Sequence, residues 1–430
     1  MGLRRSGLVL LVVGALVTPA CGRGESAPSP GTGEVAKPPP APVAPVAPTP
    51  AAGPVPLPGA STPASTDASQ KGAFDADAEY DKGAALAAAR RFAEARQVFE
   101  EAARRVPADG ALTAAVAMLA DLAAKRVSED VIGRLFQAGQ HANADRLAEA
   151  HADIDEAIRL APGYTRAHGL RGTLLLAQGK PADALKAFEQ VVKLDPGFAE
   201  GVHNRGATFA ALQQQDAAIA DFSRAIELKP DFWDAYANRG LAYQNRGLAR
   251  QNKEDMLAAM ADYTKAHELN AGAVEPLYLR GVLYALADQW DQAATDLTQV
   301  IERNAAHAGA YYNRGFAYQN QGHDDRAIAD YTKTIELDPA DPKPLINRGM
   351  LYAKQKSYER AIADYDKATS VAPKMLNPHY NKAQALERMD RPTEAVAEYR
   401  IVLQKAGSYD TDMVRLARQR LAVIEKPPEN

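Results

Sequence analysis

Apolar and small residues recur along most of this chain with a period of 34 residues. In residues 165–198 the recurring positions are Gly172, Ala184, Phe188, Val191 and Pro196. The spacing of Ala184, Phe188 and Val191 is that of one face of an α-helix, and the proline ends the period because it cannot continue a helix. The pattern predicts pairs of helices that approach closely at the small residues, with the aromatic ring filling the space that they leave.

These offsets return in phase over residues 165–409. One period is seven residues longer than its neighbours, which is close to two helical turns and predicts that each of its helices gains about one turn. The predicted repeats are 165–198, 199–232, 233–273, 274–307, 308–341, 342–375 and 376–409.

The regions on both sides of this array keep only parts of the pattern. The partial pattern in residues 76–164 predicts degenerate repeats, with an additional amphipathic helix near 111–126. Residues 410–430 predict a capping helix and a tail, with Asp410 or Asp412 as the N-cap. A terminal helix with a polar face is what a stacked array needs for solubility.

The repeated offsets resemble those of the tetratricopeptide repeat (TPR). The resemblance implies an all-α fold, a TPR α-solenoid in which helix–turn–helix repeats form a right-handed superhelix. One repeat cannot bury its own apolar faces, whereas stacked repeats can, and each contacts only its neighbours. The resemblance also implies that protein or peptide segments bind in a concave groove lined by the first helices.

The N-terminus predicts export and anchoring. Arg4 and Arg5 precede an apolar run of eleven residues, too short to span a bilayer but suited to a secretory signal. Cys21, the single cysteine, follows Thr18-Pro19-Ala20. This resembles a bacterial lipobox and implies lipidation of Cys21 by acyl chains that anchor the protein to a membrane. An ordinary signal peptide is the alternative. Residues 1–20 are thus predicted to be a lipoprotein-type signal peptide.

Residues 21–75 differ in composition from the rest of the chain. Proline, alanine, glycine, serine and threonine dominate, and no aromatic residue occurs before Phe74. Such a stretch cannot bury enough apolar surface to offset its ordering entropy, so it predicts a disordered Pro/Ala-rich tether with polyproline II character. The alternative is a proline-rich ligand for a partner domain.

An asparagine recurs at the sixth position of the first helix. TPR proteins place this position in the groove, and the O-linked N-acetylglucosamine transferases resemble this arrangement, with an asparagine ladder that holds bound polypeptide. Side-chain amides pair with peptide groups of any sequence; bridging within the scaffold is the alternative. The same register predicts further groove residues beside the ladder. The predicted groove set is Asn204, Asn238, Asn313, Asn347, Asn381, Tyr278, Tyr312, Phe316, Ile346, Met350 and Tyr380.

A charged pair also recurs. Arginine occupies the seventh position of the first helix, and aspartate precedes the aromatic residue of the second helix. Lys382 and Glu398 replace them together in the last repeat. We predict structural ion pairs, within a repeat or between neighbours; an anion-binding groove is the alternative. The predicted pair residues are Arg205, Arg239, Arg280, Arg314, Arg348, Asp221, Asp262, Asp296, Asp330 and Asp364.

The charge balance and the lack of catalytic motifs exclude several classes of function. The 50 Lys and Arg nearly balance the 54 Asp and Glu, without a basic block, which predicts no nucleic-acid partner. No catalytic motif and no histidines at metal-ligand spacing occur, so the sequence predicts neither enzyme activity, cofactor, metal nor small-molecule substrate. The carboxylate clamp of cochaperone TPRs is not matched either.

Two functions remain. The leading prediction is a scaffold or adaptor of the bacterial cell envelope, attached to the membrane only through its lipid, on the outer membrane facing the periplasm, and binding other envelope proteins in its groove. Gly22 after the cysteine favours the outer membrane, by resemblance to enterobacterial lipoprotein sorting. The alternative is a fixed structural or self-associating subunit of an envelope assembly.

Overall fold

The computed structural model describes residues 74–106, 109–407 and 411–425, and the predicted signal, Cys21 and residues 22–73 of the predicted tether lie outside them. Asp75, predicted as the last tether residue, is the N-cap of the first helix. The described residues form twenty helices and no strand, which confirms the predicted all-α repeat fold. Two compact units are present, unit 1 (Met1–Asp262) and unit 2 (Tyr263–Asn430).

The helices alternate between a first and a second member of each pair. Those that lie wholly in unit 1 are α1 Ala76–Ala88, α2 Phe92–Arg105, α3 Gly110–Ala123, α4 Glu129–Asn143, α5 Leu147–Leu160, α6 Thr165–Ala177, α7 Pro181–Leu194, α8 Ala199–Ala211, α9 Gln215–Leu228 and α10 Trp233–Arg250. Helix α11 is Lys253–Leu269. Unit 2 continues with α12 Glu275–Leu286, α13 Trp290–Arg303, α14 Ala308–Asn320, α15 Asp324–Leu337, α16 Pro342–Lys354, α17 Tyr358–Val371, α18 Asn377–Arg388, α19 Pro392–Ala406 and α20 Asp412–Ile424.

In several pairs a glycine of the first helix packs against an aromatic ring of the second helix. A Cβ built on Gly172 would lie 2.6 Å from Phe188 Cζ, and one built on Gly349 would lie 2.6 Å from Tyr365 Cε1. Only a residue without a side chain lets the two helices approach this closely. Burial of each ring stabilises its pair by roughly 1.5–3 kcal/mol.

A residue in the left-handed region turns the chain between the two helices of a pair. Gly179 (φ 69°) and Gly322 (φ 80°) fill this place in two repeats, and non-glycine residues such as Gln213 (φ 61°) fill it elsewhere. This conformation ends a helix within one or two residues. The second helix therefore begins at once and packs antiparallel to the first.

The additional helix is α3, which packs against α2 and α4. Asp109 caps its N-terminus by accepting hydrogen bonds from the backbone N–H groups of Ala111 and Leu112. Its apolar face contributes Leu112 and Met118 to the core of unit 1. Helix α3 thus lies between two helix pairs without a second helix of its own.

The seven additional residues of the lengthened repeat extend both of its helices. Helix α10 has 18 residues and α11 has 17, against 13 and 14 in α8 and α9. Arg246 fastens the extended ends, with Nε and Nη2 bonded at 2.8 and 2.6 Å to Asp255 and Nη1 at 2.6 Å to Asp216.

The C-terminal helix α20 corrects the predicted N-cap. The Thr411 hydroxyl accepts a hydrogen bond from the backbone N–H of Val414 at 3.4 Å. Threonine is a favourable N-cap residue, and Asp412 is instead the first residue inside the helix, where its charge interacts favourably with the helix dipole. Asp410 lies outside the described residues.

Candidate functional site

The recurrent arginines and aspartates form bidentate ion pairs within the successive repeats from 199–232 to 342–375. In unit 2, Arg314 Nε and Nη2 each donate to one oxygen of Asp330 at 2.8 Å. In unit 1, Arg205 binds Asp221 in the same way at 2.7 Å. The other pairs with this geometry are Arg239–Asp262, Arg280–Asp296 and Arg348–Asp364. Every pair joins the first helix of a repeat to its own second helix.

The third guanidinium nitrogen links neighbouring repeats. Arg314 Nη1 donates to the hydroxyl of Thr298 at 3.1 Å, and that hydroxyl donates in turn to the Ala294 carbonyl at 2.7 Å. The hydroxyl residue lies two positions after the aspartate of the preceding repeat. The four links of this kind are Arg239–Ser223, Arg280–Thr264, Arg314–Thr298 and Arg348–Thr332.

This hydroxyl column is not among the residues predicted from the sequence, although the hydroxyls recur in phase with the repeats. Beyond the two ends of the column acidic residues replace the hydroxyl. They are Asp155 beside Arg171, Glu189 near Arg205 and Asp366 beside Lys382. Lys382 also binds Glu398 at 2.8 Å, as the paired substitution in the last repeat predicts.

The ion pairs occupy the arginines and leave little charge for an anion. The aspartates are buried, with Asp330 and Asp296 only 5 and 4% exposed. The hydrogen bonds that Arg314 donates to Asp330 raise the pKa of Arg314. The predicted structural role therefore accounts for both columns, and an anion-binding groove would leave the buried aspartates unexplained.

The asparagines of unit 2 are bonded to tyrosines one repeat earlier. Asn313 Nδ2 donates to the Tyr278 hydroxyl at 3.3 Å and to the Gly309 carbonyl at 2.8 Å. Asn347 Nδ2 donates to the Tyr312 hydroxyl at 3.3 Å and to the Tyr331 hydroxyl at 3.4 Å. The partners at the fifth and sixth positions are 35 residues apart, a spacing that sequence analysis did not use.

These hydrogen bonds leave one acceptor on each asparagine and one donor on its tyrosine partner without a bond. Both amide hydrogens of Asn313 and Asn347 are donated, so each side chain keeps its Oδ1 as an acceptor. The hydroxyls of Tyr278 and Tyr312 accept one bond and keep their own hydrogen as a donor. Burial raises the pKa of Tyr312 to about 12, so this phenol stays protonated at neutral pH. Each tyrosine–asparagine pair therefore offers one donor and one acceptor.

In unit 1 the asparagines at the same position are buried, so the prediction that Asn204 and Asn238 line the groove is wrong. They are 2 and 6% exposed, and His203, 3% exposed, lies between them. Asn238 Nδ2 is 2.9 Å from His203 Nε2, and His203 Nδ1 is 3.2 Å from Asn204 Oδ1, which fits the neutral imidazole with its hydrogen on Nδ1. Burial lowers the pKa of His203 to about 4. These amides bridge helices within the scaffold.

The predicted groove residues Ile346, Met350 and Asn381 of unit 2 differ in how far their side chains are exposed. Ile346 is only 7% exposed and packs in the core with Leu345 and Ala368, so it offers no free side chain. It also occupies the place of the tyrosine 35 residues before Asn381, and isoleucine cannot accept a hydrogen bond. Asn381 is partly exposed and Met350 packs partly buried against the cluster of Ile346.

Phe316 and Tyr380, two predicted groove residues, are partly exposed and pack against other aromatic rings. Phe316 meets Trp290 edge to face at 5.8 Å, and Tyr380 meets Tyr399 at 5.8 Å. We call the surface formed by Tyr278, Tyr312, Asn313, Phe316 and Asn347 the amide–aromatic face of unit 2. It combines apolar area with fixed donors and acceptors, the combination found at polypeptide-binding surfaces.

Among residues 74–106, 109–407 and 411–425, no three His, Cys, Asp or Glu side chains are grouped so as to hold a metal ion. No helix in those ranges is long and apolar enough to cross a membrane.

Four family models match parts of the chain. One described as "TPR repeat" matches residues 207–247. Three described as "Tetratricopeptide repeat" match residues 308–341 and 342–375, residues 141–199, and residues 277–306. No curated protein sequence matches the chain.

Similar solved structures are also tetratricopeptide-repeat proteins. YrrB, described as a TPR protein with an unusual peptide-binding site, is 22% identical over 48% of this chain and 99% of its own, with a TM-score of 0.41. A tetratricopeptide repeat protein of Parabacteroides merdae is 21% identical over 62 and 99%, with a TM-score of 0.42. The C-terminal part of a TPR repeat-containing protein of Cytophaga hutchinsonii is 16% identical over 58 and 98%, with a TM-score of 0.48.

Proposed function

We propose a function that proceeds from one premise, namely that this chain is a tetratricopeptide-repeat protein. Such proteins generally mediate protein–protein interactions. We infer that this one is a non-catalytic scaffold of the bacterial envelope that binds segments of other envelope proteins on the amide–aromatic face of unit 2.

The tyrosine–asparagine pairs carry the proposal. Tyr278–Asn313 and Tyr312–Asn347 repeat the same donor and acceptor in consecutive repeats. A peptide group presents the complementary N–H and C=O, whatever its side chain. A bound segment donates an N–H to an asparagine Oδ1 and accepts a hydrogen bond from a tyrosine hydroxyl.

Aromatic surface beside these pairs supplies the apolar part of the interaction. Phe316 and Tyr312 are partly exposed on this face, and aromatic anchors in a desolvated centre contribute on the order of 2 kcal/mol or more each. A net hydrogen bond contributes only about 1 kcal/mol. The rings therefore set the affinity, and the pairs fix the path of the bound backbone.

The test removes the two tyrosine hydroxyls and keeps the rings. Tyr312 packs 5.8 Å from Tyr331, so alanine would leave a cavity, whereas Tyr278→Phe with Tyr312→Phe keeps the shape. Crosslinking in intact cells, followed by mass spectrometry, should recover far less of each partner with this double variant. Tyr311→Phe, whose ring lies over Arg314 at 5.6 Å, is the matched control. Equal recovery with all forms would place the interface elsewhere.

Attachment to the membrane is the second part of the proposal. Cys21 follows an apolar signal and is the single cysteine of the chain, and stable anchoring needs more than one acyl chain. Cys21→Ser should move the protein from the membrane fraction to the soluble fraction. Unchanged detergent partitioning of this variant would contradict lipid anchoring without touching the binding face.

A fixed or self-associating subunit is the rival outcome of the same work. Light scattering over a concentration series should show a stable monomer if the protein is an adaptor. Growth in mass with concentration, lost in the Tyr278→Phe, Tyr312→Phe double variant, would instead assign the face to self-association.

A further inference from the structure

Unit 1 contains a narrow apolar cleft that the proposed function does not use. The empty space of the cleft is about 450 Å³ when open solvent is included, and about 30 Å³ of it can hold the centre of a water-sized sphere. Met118 of α3, Leu170 of α6, Phe188 and Val191 of α7 and Phe198 before α8 line it.

The cleft exists because the fifth position of α6 is a glycine. At this position the equivalent residues are His203, Ala237, Tyr278, Tyr312, Ile346 and Tyr380. A Cβ built on Gly169 would lie 3.9 Å from Val191 Cγ2, its single neighbour within 4 Å. A side chain is therefore permitted here on steric grounds but missing, and helix α3 closes the cleft on the other side.

One polar group of the cleft has an unused donor. Asn204 lines the cleft, and its Oδ1 is bonded by His203. No described residue accepts a hydrogen bond from Asn204 Nδ2. A carbonyl oxygen of a bound backbone is the matching acceptor.

The rim of the cleft carries excess positive charge. Arg166 lies over the Phe198 ring at 5.3 Å, and its Nε is 3.3 Å from Asp121 Oδ2. Asp121 also accepts hydrogen bonds from Arg126 at 2.7 Å and from the Tyr164 hydroxyl at 3.1 Å. Two arginines thus share one carboxylate, and the terminal nitrogens of Arg166 form no bond with a described residue. This fork fits a second carboxylate.

Since the proposed function makes the chain a polypeptide binder, we propose that this cleft is a second binding site, selective for an aliphatic side chain next to an acidic one. The aliphatic side chain fills the space over Gly169. Its backbone carbonyl accepts a hydrogen bond from Asn204 Nδ2. The adjacent aspartate or glutamate side chain binds Arg166.

The test selects peptides from a displayed random dodecapeptide library on the whole protein. Enriched peptides should share an aliphatic residue beside an acidic one. They should bind more weakly when the aliphatic residue is changed to alanine or the acidic residue to its amide. Gly169→Leu fills the cleft and should abolish their binding. Gly169→Ala is the matched control, because its Cβ makes only ordinary contact and leaves most of the cleft open.

Arg166→Gln isolates the charge contribution. It should weaken binding of the same peptides by roughly tenfold or more, the loss expected for one charge-assisted contact. Peptides that carry an amide in place of the acidic residue should bind native protein and Arg166→Gln equally. Equal weakening of both peptides would overturn the assignment of the carboxylate to Arg166.

The outcomes separate this inference from the proposed function. Some peptides could bind Gly169→Leu and native protein with equal affinity but lose binding to the Tyr278→Phe, Tyr312→Phe variant. Such peptides would contradict the proposed site in the cleft and leave the proposed function intact. Peptides with the reverse behaviour support the cleft, and the face of unit 2 is then judged by the crosslinking of the double variant alone. Enrichment of no common sequence on native protein contradicts the cleft.

Discussion

The first helices of unit 1 and unit 2 present different surfaces from one repeat pattern. In unit 1, His203 and the asparagines on either side of it form a closed, buried bridge, and Gly169 leaves an apolar cleft. In unit 2, Tyr278 and Tyr312 are partly exposed, and their asparagine partners keep free acceptors. The ion pairs beneath both surfaces are the same. The two units therefore share one scaffold of ion pairs. The residue at the fifth position of the first helix determines which polar and apolar groups each surface exposes.

The shared scaffold gives the largest expected effect. Arg314→Met in unit 2 and Arg205→Met in unit 1 each leave a buried aspartate without its partner, which should lower the free energy of unfolding by about 3–5 kcal/mol. Denaturant unfolding, with hydrogen exchange by mass spectrometry to resolve the repeats, measures both. Replacing Arg314 and Asp330 together by Met and Leu should recover most of the loss. A clear inequality between the units would show that the scaffold is not shared.

Acid should destabilise unit 1 through His203. Because burial lowers its pKa from 6.5 to about 4, the unfolded chain takes up the proton first. The free energy of unfolding therefore falls as pH drops from about 6.5 to about 4, by roughly 3 kcal/mol in total. His203→Gln should remove this part of the pH dependence and leave the curve above pH 7 parallel. Identical curves for both proteins across that window would contradict a buried neutral imidazole.

Glycine to alanine should have opposite signs in the two environments. Gly349→Ala in unit 2 brings a methyl group within 2.6 Å of Tyr365 and should cost about 1–3 kcal/mol by overpacking. Gly169→Ala in unit 1 meets only Val191 at 3.9 Å and should stabilise its helix by about 0.5–1 kcal/mol. Melting temperatures of the two variants test this. Stabilisation by both changes would mean that the helices of unit 2 pack less closely than described.

The hydroxyl column should give the smallest effect. Thr332→Val keeps the shape but removes the acceptor for Arg348 Nη1 at 2.9 Å, at an expected cost of about 1 kcal/mol. Thr295→Val is the control, because its exposed hydroxyl bonds only to its own helix at Asp291. Equal melting temperatures for the two valine variants would remove the hydroxyl from the contacts between repeats.

Most of the fold could be predicted from the sequence. Glycine, alanine, aromatic and proline recur at fixed offsets, and each has a local reason for its place: close approach, filled space or helix termination. The Arg–Asp columns could be predicted for the same reason, since equal periods put oppositely charged residues near each other in every repeat. Lys382 and Glu398 even preserve this relation where the residue types change.

Only the tertiary structure decided which of these side chains remain available. Periodicity places Asn204, Asn238, Asn313 and Asn347 at one position, yet the first two are buried and the others are not. The deciding residue lies 35 positions earlier for Asn238, Asn313 and Asn347, as His203, Tyr278 or Tyr312. Likewise, the cleft over Gly169 depends on α3, which belongs to no repeat. A repeat period fixes where a residue lies on its own helix, whereas burial depends on the neighbouring helices, whose side chains differ from repeat to repeat.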